Sequence, residues 1–525
     1  MSVDVRPYAG HPEQTLDRPA LGERFWSSPR WPIAPPTAPV ARRVLLVVAV
    51  AAVVVRFLPA GPLWFDEAQT VSISHLAVPQ LLGALRQDGS PPLYYLLLHM
   101  WMLVFGTGTW EVRALSGVIG VATIPVFAAL TRRLLPEPAR WPAVLLMATS
   151  PFAIRYSAET RMYALVILAV AVGAILVCRV LEEPSLRRMA ALPFASAALA
   201  YTHYWGLFLL AATGIGLVWH AVRRRSLASR RAAIGLALGA LLYLPWLPSM
   251  LFQIANTGTP WAHAGLLSAT MAVAVWGGVM HWGVALLFAV PLVVILGISV
   301  VAGASRRPEI RPVLWVTLAT LALAGLASVL LGSAVVPRYT SVGLVPYLVV
   351  AGAGIATLPG RVRTTAVRSA VTLGLVAGAL NVTAPRTLAG RIAGALHRQG
   401  GPGDSVVYCP DQLGPDVARL LPGWPQQMMF PTGAFPYRVD WVDYVSRNLS
   451  ASPMSFAQTV VADSSDQPIW LVEATNYISF GTSCQTLASD LASMRPAFVA
   501  TPLGSNPMSP NEKETLVEYL PNPRL

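Results

Sequence analysis

Long apolar runs follow one another through most of this chain and limit its folding choices more than any other feature. They cover about 44–60, 113–131, 141–156, 162–181, 189–203, 205–222, 232–251, 283–303, 313–334, 341–358 and 367–384. Each is near the ~20 residues that a helix needs to cross a bilayer core of about 30 Å. Backbone polar groups find no water in that core, so a crossing segment must satisfy its own N–H and C=O groups, as a helix does. A soluble chain of 525 residues would divide into roughly three or four domains. With 54% hydrophobic and 12% charged residues and a mean hydropathy of +0.55, this one is no cytosolic enzyme. It reads as a polytopic α-helical membrane protein.

The basic residues orient it. The net charge is +13, carried almost wholly by arginine, and Lys513 is the single lysine. That argues against Schiff-base or Walker-type lysine chemistry over most of the chain. Two further apolar runs, 91–105 and 266–280, have only fifteen residues each and are interrupted by polar or aromatic groups. With both kept out of the membrane core and the N-terminus inside, 19 basic residues fall in cytoplasmic segments, clustered at Arg42–Arg43, Arg132–Arg140, Arg179–Arg188, Arg223–Arg231, Arg306–Arg311 and Arg361–Arg368. Letting run 91–105 alone cross would move the 17 that follow Arg43 to the outside, against the positive-inside rule. The arginines are therefore a topology signal and not a nucleic-acid footprint. Eleven spans follow, with the N-terminus cytoplasmic, the C-terminus external and the whole in a bacterial inner membrane.

Three segments result. Residues 1–43 are polar, with eight prolines in the first 40 positions, and are expected to be a disordered cytoplasmic tail. No apolar run begins before residue 44, so no ordinary cleavable signal peptide is expected. Residues 44–384 form the membrane domain, and residues 385–525 an external α/β domain. In the latter, Val406–Cys409, Ile469–Val472 and Phe498–Thr501 read as strands, and Asp411–Leu421 and Ser483–Met494 as helices. It has no GxGxxG, so no nucleotide site is indicated. Three cysteines exclude a zinc-ribbon or iron–sulfur framework. Cys409 and Cys484 share the external domain, where an oxidising exterior would permit a disulfide. Cys178 reads as an inert apolar filler.

The chemistry-bearing residues gather on the external side. Leu63-Trp64-Phe65-Asp66-Glu67 places two adjacent carboxylates just beyond the first span. Ionisable groups at a membrane boundary are functional candidates by default, although Asp66 could instead cap a helix Glu67–His75. Asp88-Gly-Ser-Pro-Pro-Leu-Tyr-Tyr opens the apolar run 91–105, whose composition suits a helix lying at the interface. Ser150-Pro151 through Arg155, Glu159, Arg161 and Tyr163 joins two spans with more charge than a turn needs. Arginine can chelate a phosphate with its planar fork; an Arg–Glu pair that anchors helix ends is the plainer reading. His203-Tyr204, Trp261, His263, His281 and Arg338-Tyr339 complete the outer face. The three histidines have no metal-ligand spacing, and Arg338 is the one basic residue between Arg311 and Arg361.

Phe65-Asp66-Glu67-Ala68, Gly89-Ser90-Pro91-Pro92-Leu93-Tyr94-Tyr95, Arg113-Ala-Leu-Ser116-Gly117, Ser150-Pro151 and Glu159-Thr-Arg161-Met-Tyr163 together resemble the GT-C membrane glycosyltransferases. Within these, they resemble the protein O-mannosyltransferase and aminoarabinose-transferase group. The resemblance covers roughly 44–350 and is best in 61–163. It implies a polyprenyl-phosphate sugar as donor, its tail among the spans, and a protein, glycolipid or cell-wall glycan as acceptor. Asp66 would be the general base of an inverting displacement, and Glu67 would orient the acceptor or bind a metal. Arg338 and Arg161, with His203 and Tyr204, would hold the donor phosphate; Tyr94, Tyr95, Arg155, Glu159, Tyr163 and Trp261 would line the substrate site. No cofactor is implied, though the paired carboxylates leave room for a divalent metal. The family pattern often has Lys or His where Ser90 stands. Arginine-for-lysine and alanine bias point to a GC-rich bacterium and make mannose or arabinose the expected sugar. A lipid-linked-sugar flippase would need inverted repeats and mid-span charge, which the sequence lacks. A non-catalytic envelope-assembly subunit would survive loss of Asp66.

Overall fold

Each of the eleven apolar runs contains a helix. The computed structural model describes residues 39–521 apart from 259–266, 281–282, 332–335, 402, 435, 475–476 and 506–512, with the backbone alone for 39–41, 267–271, 331, 497–505 and 513. Seven helices among the described residues are long and apolar enough to cross a membrane: Thr109–Leu134, Tyr163–Glu182, Trp205–Arg224, Leu227–Asn256, Leu286–Arg306, Pro308–Leu330 and Gly360–Thr383. The chain is a multi-pass membrane protein.

The eleven expected spans differ in length. The other four runs form shorter helices: α1 Pro39–Val54, α6 Glu137–Thr149 with α7 Pro151–Ser157, and two more over Leu192–Thr202 and Leu344–Ile355. The breaks have local causes. Ser150 leaves helical geometry at ψ 119° and caps α7 by accepting from the Ala153 N–H, while Pro151 fills the first helical position. His203 is extended, at φ −160°. The 3₁₀ segments Val55–Phe57 and Pro337–Gly343 adjoin helix ends and carry Arg56 and Arg338.

Between α1 and the long helix α5, Thr109–Leu134, lie three short helices: α2 Phe65–Ser74, α3 Val78–Asp88 and α4 Leu93–Phe105. The 13 residues of α4 span about 20 Å at 1.5 Å per residue, too little to cross. Tyr94, Tyr95, Leu98 and Met102 are its buried stripe, while Met100, Leu103, Val104 and Phe105 are exposed. Run 266–280 holds the ten-residue helix Leu267–Trp276.

The C-terminal region builds a five-stranded sheet from β1 Ser405–Cys409, β2 Gln427–Met429, β3 Ile469–Ala474, β4 Ala497–Ser505 and β5 Lys513–Tyr519. Its order is β2-β1-β3-β5-β4, with β1 parallel to β2 and β3, and β5 antiparallel to its neighbours. Alternation along the strands feeds two cores. Val406, Tyr408, Trp470 and Val472 pack with helix Ala389–Gln399, whereas Val407, Cys409 and Leu471 pack with Phe456, Leu487 and Leu491. Cys409 and Cys484 are joined by a disulfide. The helix expected over Asp411–Leu421 is a 3₁₀ turn Asp411–Leu413 followed by a short helix Gly414–Ala418, since Gly414 and Pro415 interrupt it. The strands β2 and β5 were not read from the sequence.

Candidate active site

Helix α2 carries both carboxylates in its first turn, where negative charge complements the helix dipole. The cap is Trp64 and the helix begins at Phe65, so Asp66 lies inside the helix and does not cap it. Successive helical residues point about 100° apart. Asp66 and Glu67 therefore meet different surroundings.

Glu67 is fully buried and saturated. Arg113, from α5, donates to it through Nε at 2.8 Å and Nη2 at 2.6 Å. The Thr160 N–H adds a bond at 2.8 Å and the Trp64 N–H one at 3.4 Å. Arg113 also donates to the carbonyls of Gly61 and Pro62, both at 2.9 Å. Burial pushes the Glu67 carboxyl up, but the Arg113 charge and hydrogen bonds override it and hold the pKa at about 2. Glu67 thus pins α2 to α5 and to the turn that carries Arg161. Both of its oxygens are occupied by these donors. No group of three or more His, Cys, Asp or Glu is placed to hold a metal among the described residues.

Asp66 is 13% exposed, and its Oδ2 faces two guanidinium groups: Arg338 Nη2 at 3.2 Å and Arg161 Nη2 at 3.8 Å. Arg161 is further held by Thr70 Oγ1 at 2.8 Å and by the Tyr95 hydroxyl at 3.3 Å. Arg338 lies over the Trp64 ring, 5.6 Å from its centroid, and beside Tyr339 at 5.8 Å. Two fixed positive charges against one carboxylate leave the centre net positive, which suits an arriving phosphate.

The other expected residues are distributed around this centre. The His203 ring packs against Tyr339 at 5.0 Å and Tyr163 at 5.8 Å, behind Arg338. Tyr163 is buried, and its hydroxyl has no hydrogen-bond partner among the described residues. Tyr95 stands one layer behind Arg161 and also bonds Asp88 at 3.0 Å. Four of the expected residues have their polar groups engaged by neighbouring elements. Tyr94 is buried against Ser116, hydroxyl to hydroxyl at 2.7 Å. Tyr204 is tied to Gln253 and accepts from Trp246 Nε1 at 3.0 Å. Arg155 bonds the Asn381 carbonyl, and Glu159 pairs with Arg386 at 2.8 Å. Each joins elements of the fold, with 4% exposure for Arg155 and 1% for Glu159. Trp261, His263 and His281 lie outside the described residues. Sequence reasoning missed Arg386 and Gln69. The charge of Glu159 was a signal for the first, since a buried carboxylate demands a cation; nothing local announced the second.

Residues 89–248 match the family profile described as dolichyl-phosphate-mannose-protein mannosyltransferase. The chain overlays on ArnT from Cupriavidus metallidurans in the apo state with a TM-score of 0.57 and 14% identity, covering 91% of this chain and 98% of that one. It has the GT-C glycosyltransferase fold. The same enzyme bound to undecaprenyl phosphate overlays at a TM-score of 0.56 and 14% identity, over 92% and 98% of the two chains. The Archaeoglobus fulgidus oligosaccharyltransferase in its apo form is also similar, at 12% identity and a TM-score of 0.49, over 87% and 73%. Among curated proteins, none matches this chain by sequence.

Proposed function

We propose that this chain is an inverting glycosyltransferase that moves a sugar, mannose by preference, from a polyprenyl-phosphate donor to a hydroxyl of an external glycan, glycolipid or protein. The observation that carries the reading is Asp66 lodged between Arg338 and Arg161 on a GT-C scaffold. The family profile names dolichyl-phosphate-mannose, and the ArnT structure with undecaprenyl phosphate supports a lipid-phosphate donor.

In this mechanism the acceptor oxygen attacks the sugar C1 as the bond from C1 to the phosphate oxygen breaks. The acceptor proton passes to Asp66. The electron pair of the broken bond goes to the phosphate, and polyprenyl phosphate leaves. Its added negative charge is met by Arg161 and Arg338, already fixed in place, so no reorganisation is needed as charge develops. Single displacement from the far face inverts the anomeric carbon. Glu67 takes no part in bond making; it holds α2 and the Thr160–Arg161 turn in register. The two guanidinium groups supply the charge a divalent cation would bring, so transfer is expected to persist in chelator.

The test offers radiolabelled polyprenyl-phosphate sugars with membrane extract as acceptor source to wild type and Asp66→Asn in proteoliposomes. Transfer by wild type and its loss in a folded Asp66→Asn protein supports the reading. Transfer retained in the variant refutes the role of Asp66, and absence of transfer from every donor sinks the assignment.

A further inference from the structure

A short strap of the C-terminal region lies directly on the helices that carry the site. Along it, alternate backbone N–H groups are given to the membrane-domain side: Val439 to Gln69 Oε1 at 2.8 Å, Trp441 to the Gln87 carbonyl at 3.2 Å, and Asp443 to the Asn256 carbonyl at 2.9 Å. The ring of Trp441 meets that of Phe65, at the start of α2, with centroids 6.1 Å apart. Gln69 is one turn beyond Asp66 on α2 and is 2% exposed.

The Gln69 amide has its hydrogen-bonding capacity used on both sides. Its oxygen accepts from the Val439 N–H, and its nitrogen donates to the Val439 carbonyl at 3.1 Å and to Asp88 Oδ1 at 2.7 Å. This order of atoms is forced. A flipped amide would set its NH₂ against the Val439 N–H and its oxygen against the Asp88 carboxylate. The other Asp88 oxygen, Oδ2, accepts from the Tyr95 hydroxyl at 3.0 Å, and that hydroxyl accepts from Arg161 Nη1 at 3.3 Å. Asp88 ends α3, and Gly89 follows it in the left-handed region at φ +82° with Thr257 Oγ1 3.0 Å from the place a Cβ would take. The carboxylate is thereby seated by the backbone as well as by its partners. A continuous line of hydrogen bonds joins Val439, Gln69, Asp88, Tyr95 and Arg161, and the ion pair of Arg161 with Asp66 at 3.8 Å ends it.

We infer that Gln69 and Asp88 are positioning residues that make the Asp66–Arg161 geometry depend on the docked C-terminal strap. Neither touches the reacting atoms. Their effect is transmitted through Tyr95 to one of the two cations that receive the leaving phosphate, so this inference rests on the glycosyltransferase reading. Loss of either residue frees Arg161 to move, and a displacement of about 1 Å at a reacting centre costs on the order of 100-fold in rate.

The test uses the full chain in nanodiscs, as wild type, Gln69→Leu, Asp88→Leu and Asp88→Asn. Gln69→Leu keeps the volume and removes all three bonds. Asp88→Asn keeps an acceptor for Gln69 and a polar partner for Tyr95, and serves as the conservative rescue. Transfer kinetics and hydrogen exchange are read together. Expected is a fall in kcat of about 10- to 100-fold in both leucine variants with donor KM changed less than about 3-fold, and recovery in Asp88→Asn. Exchange should rise in 437–443 and also in 158–162, the turn that bears Arg161. Wild-type kcat in Gln69→Leu, or faster exchange confined to 437–443, overturns the inference. If wild type transfers no sugar, the glycosyltransferase reading has failed, and exchange at 158–162 alone decides whether the strap and the Arg161 turn are coupled.

Discussion

Substituting Glu67 and substituting its neighbour Asp66 should injure the protein in different currencies, one in stability and one in turnover. Glu67→Ala leaves the Arg113 guanidinium 3% exposed with only the carbonyls of Gly61 and Pro62 to accept from it, and it orphans the Thr160 N–H. Breaking a buried ion pair in this one-sided way costs about 3–5 kcal/mol. At ~2–4 °C per kcal/mol for a 150–250-residue domain, and less for a larger protein, thermal unfolding should fall by roughly 5–10 °C. The linkage agrees in sign. The folded Glu67 pKa is lowered from 4.5 to about 2, so its stabilisation is present above the unfolded value and is lost as pH falls from 4.5 toward 2. The stability gap between wild type and Glu67→Gln should therefore close only in that acid window. Arg113→Ala should destabilise similarly, and the double variant should cost less than the sum of the two. Asp66→Asn, at a side chain 13% exposed, keeps a polar group of the same shape between the two guanidinium groups, and should shift stability less than Glu67→Ala and abolish transfer. Tryptophan-monitored melting in detergent reads the first effect, and polyprenyl-phosphate-sugar transfer the second. A Glu67→Ala protein that melts with wild type, or an Asp66→Asn protein as unstable as Glu67→Ala, refutes the division of labour.

Arg338→Met should lower kcat by about 10²–10³, as removal of a fixed oxyanion donor does, and Arg338→Lys should recover only part of it because the fork geometry is lost; steady-state kinetics on the labelled donor measure both. Cys409→Ala with Cys484→Ala opens a disulfide with a sequence separation of 75, and the chain-entropy model puts the cost near ~4.5 kcal/mol, readable by denaturant unfolding against the oxidised wild type. Burial raises both the Asp411 and the Asp416 carboxyl to about 7, so the folded state binds their protons more tightly than the unfolded state does. Stability of the C-terminal sheet should then fall as pH rises from about 4 to 7 and level off above, and Asp416→Asn, which keeps the Thr387 bond, should flatten part of that slope in a pH series of melts.

Much of the architecture is written in composition and spacing. Runs of apolar residues near 20 long must be helices when water is absent, and the helix Ser483–Met494 falls where the sequence places it. Where the reading falls short, the cause is tertiary. Run 189–203 yields the helix Leu192–Thr202, because His203 is extended and its ring packs against Tyr339, the neighbour of Arg338. The strand β5 has the pattern Lys513-Glu-Thr-Leu-Val-Glu-Tyr519, polar enough to pass for a surface segment. It becomes a strand only because β3 and β4 offer edges on both sides of it.

The site shows the same limit at closer range. Asp66 and Glu67 are adjacent in sequence, which suggests a shared task such as a metal pair. A helix start at Phe65 separates them by about 100°, and that rotation alone assigns one to the open face and the other to the interior. Arg155 and Arg161 are six positions apart in one motif, and the same logic separates them: Arg155, on α7, reaches the Asn381 carbonyl, while Arg161, in the turn beyond α7, reaches Asp66. A motif thus names the residues that gather near a membrane boundary, but partners arriving from hundreds of positions away decide which of them stay free. Arg338 meets Asp66 at a partly open face, and Arg386 pairs with Glu159 at 2.8 Å in the interior. Exchanging those circumstances tests the point: Arg386→Ala should leave Glu159 buried and uncompensated, destabilise the chain by about 3–5 kcal/mol, and create no second active carboxylate. Transfer that survives in an Asp66→Asn, Arg386→Ala double variant would refute this, since it would show that the arginine, and not position in the fold, had been holding Glu159 silent.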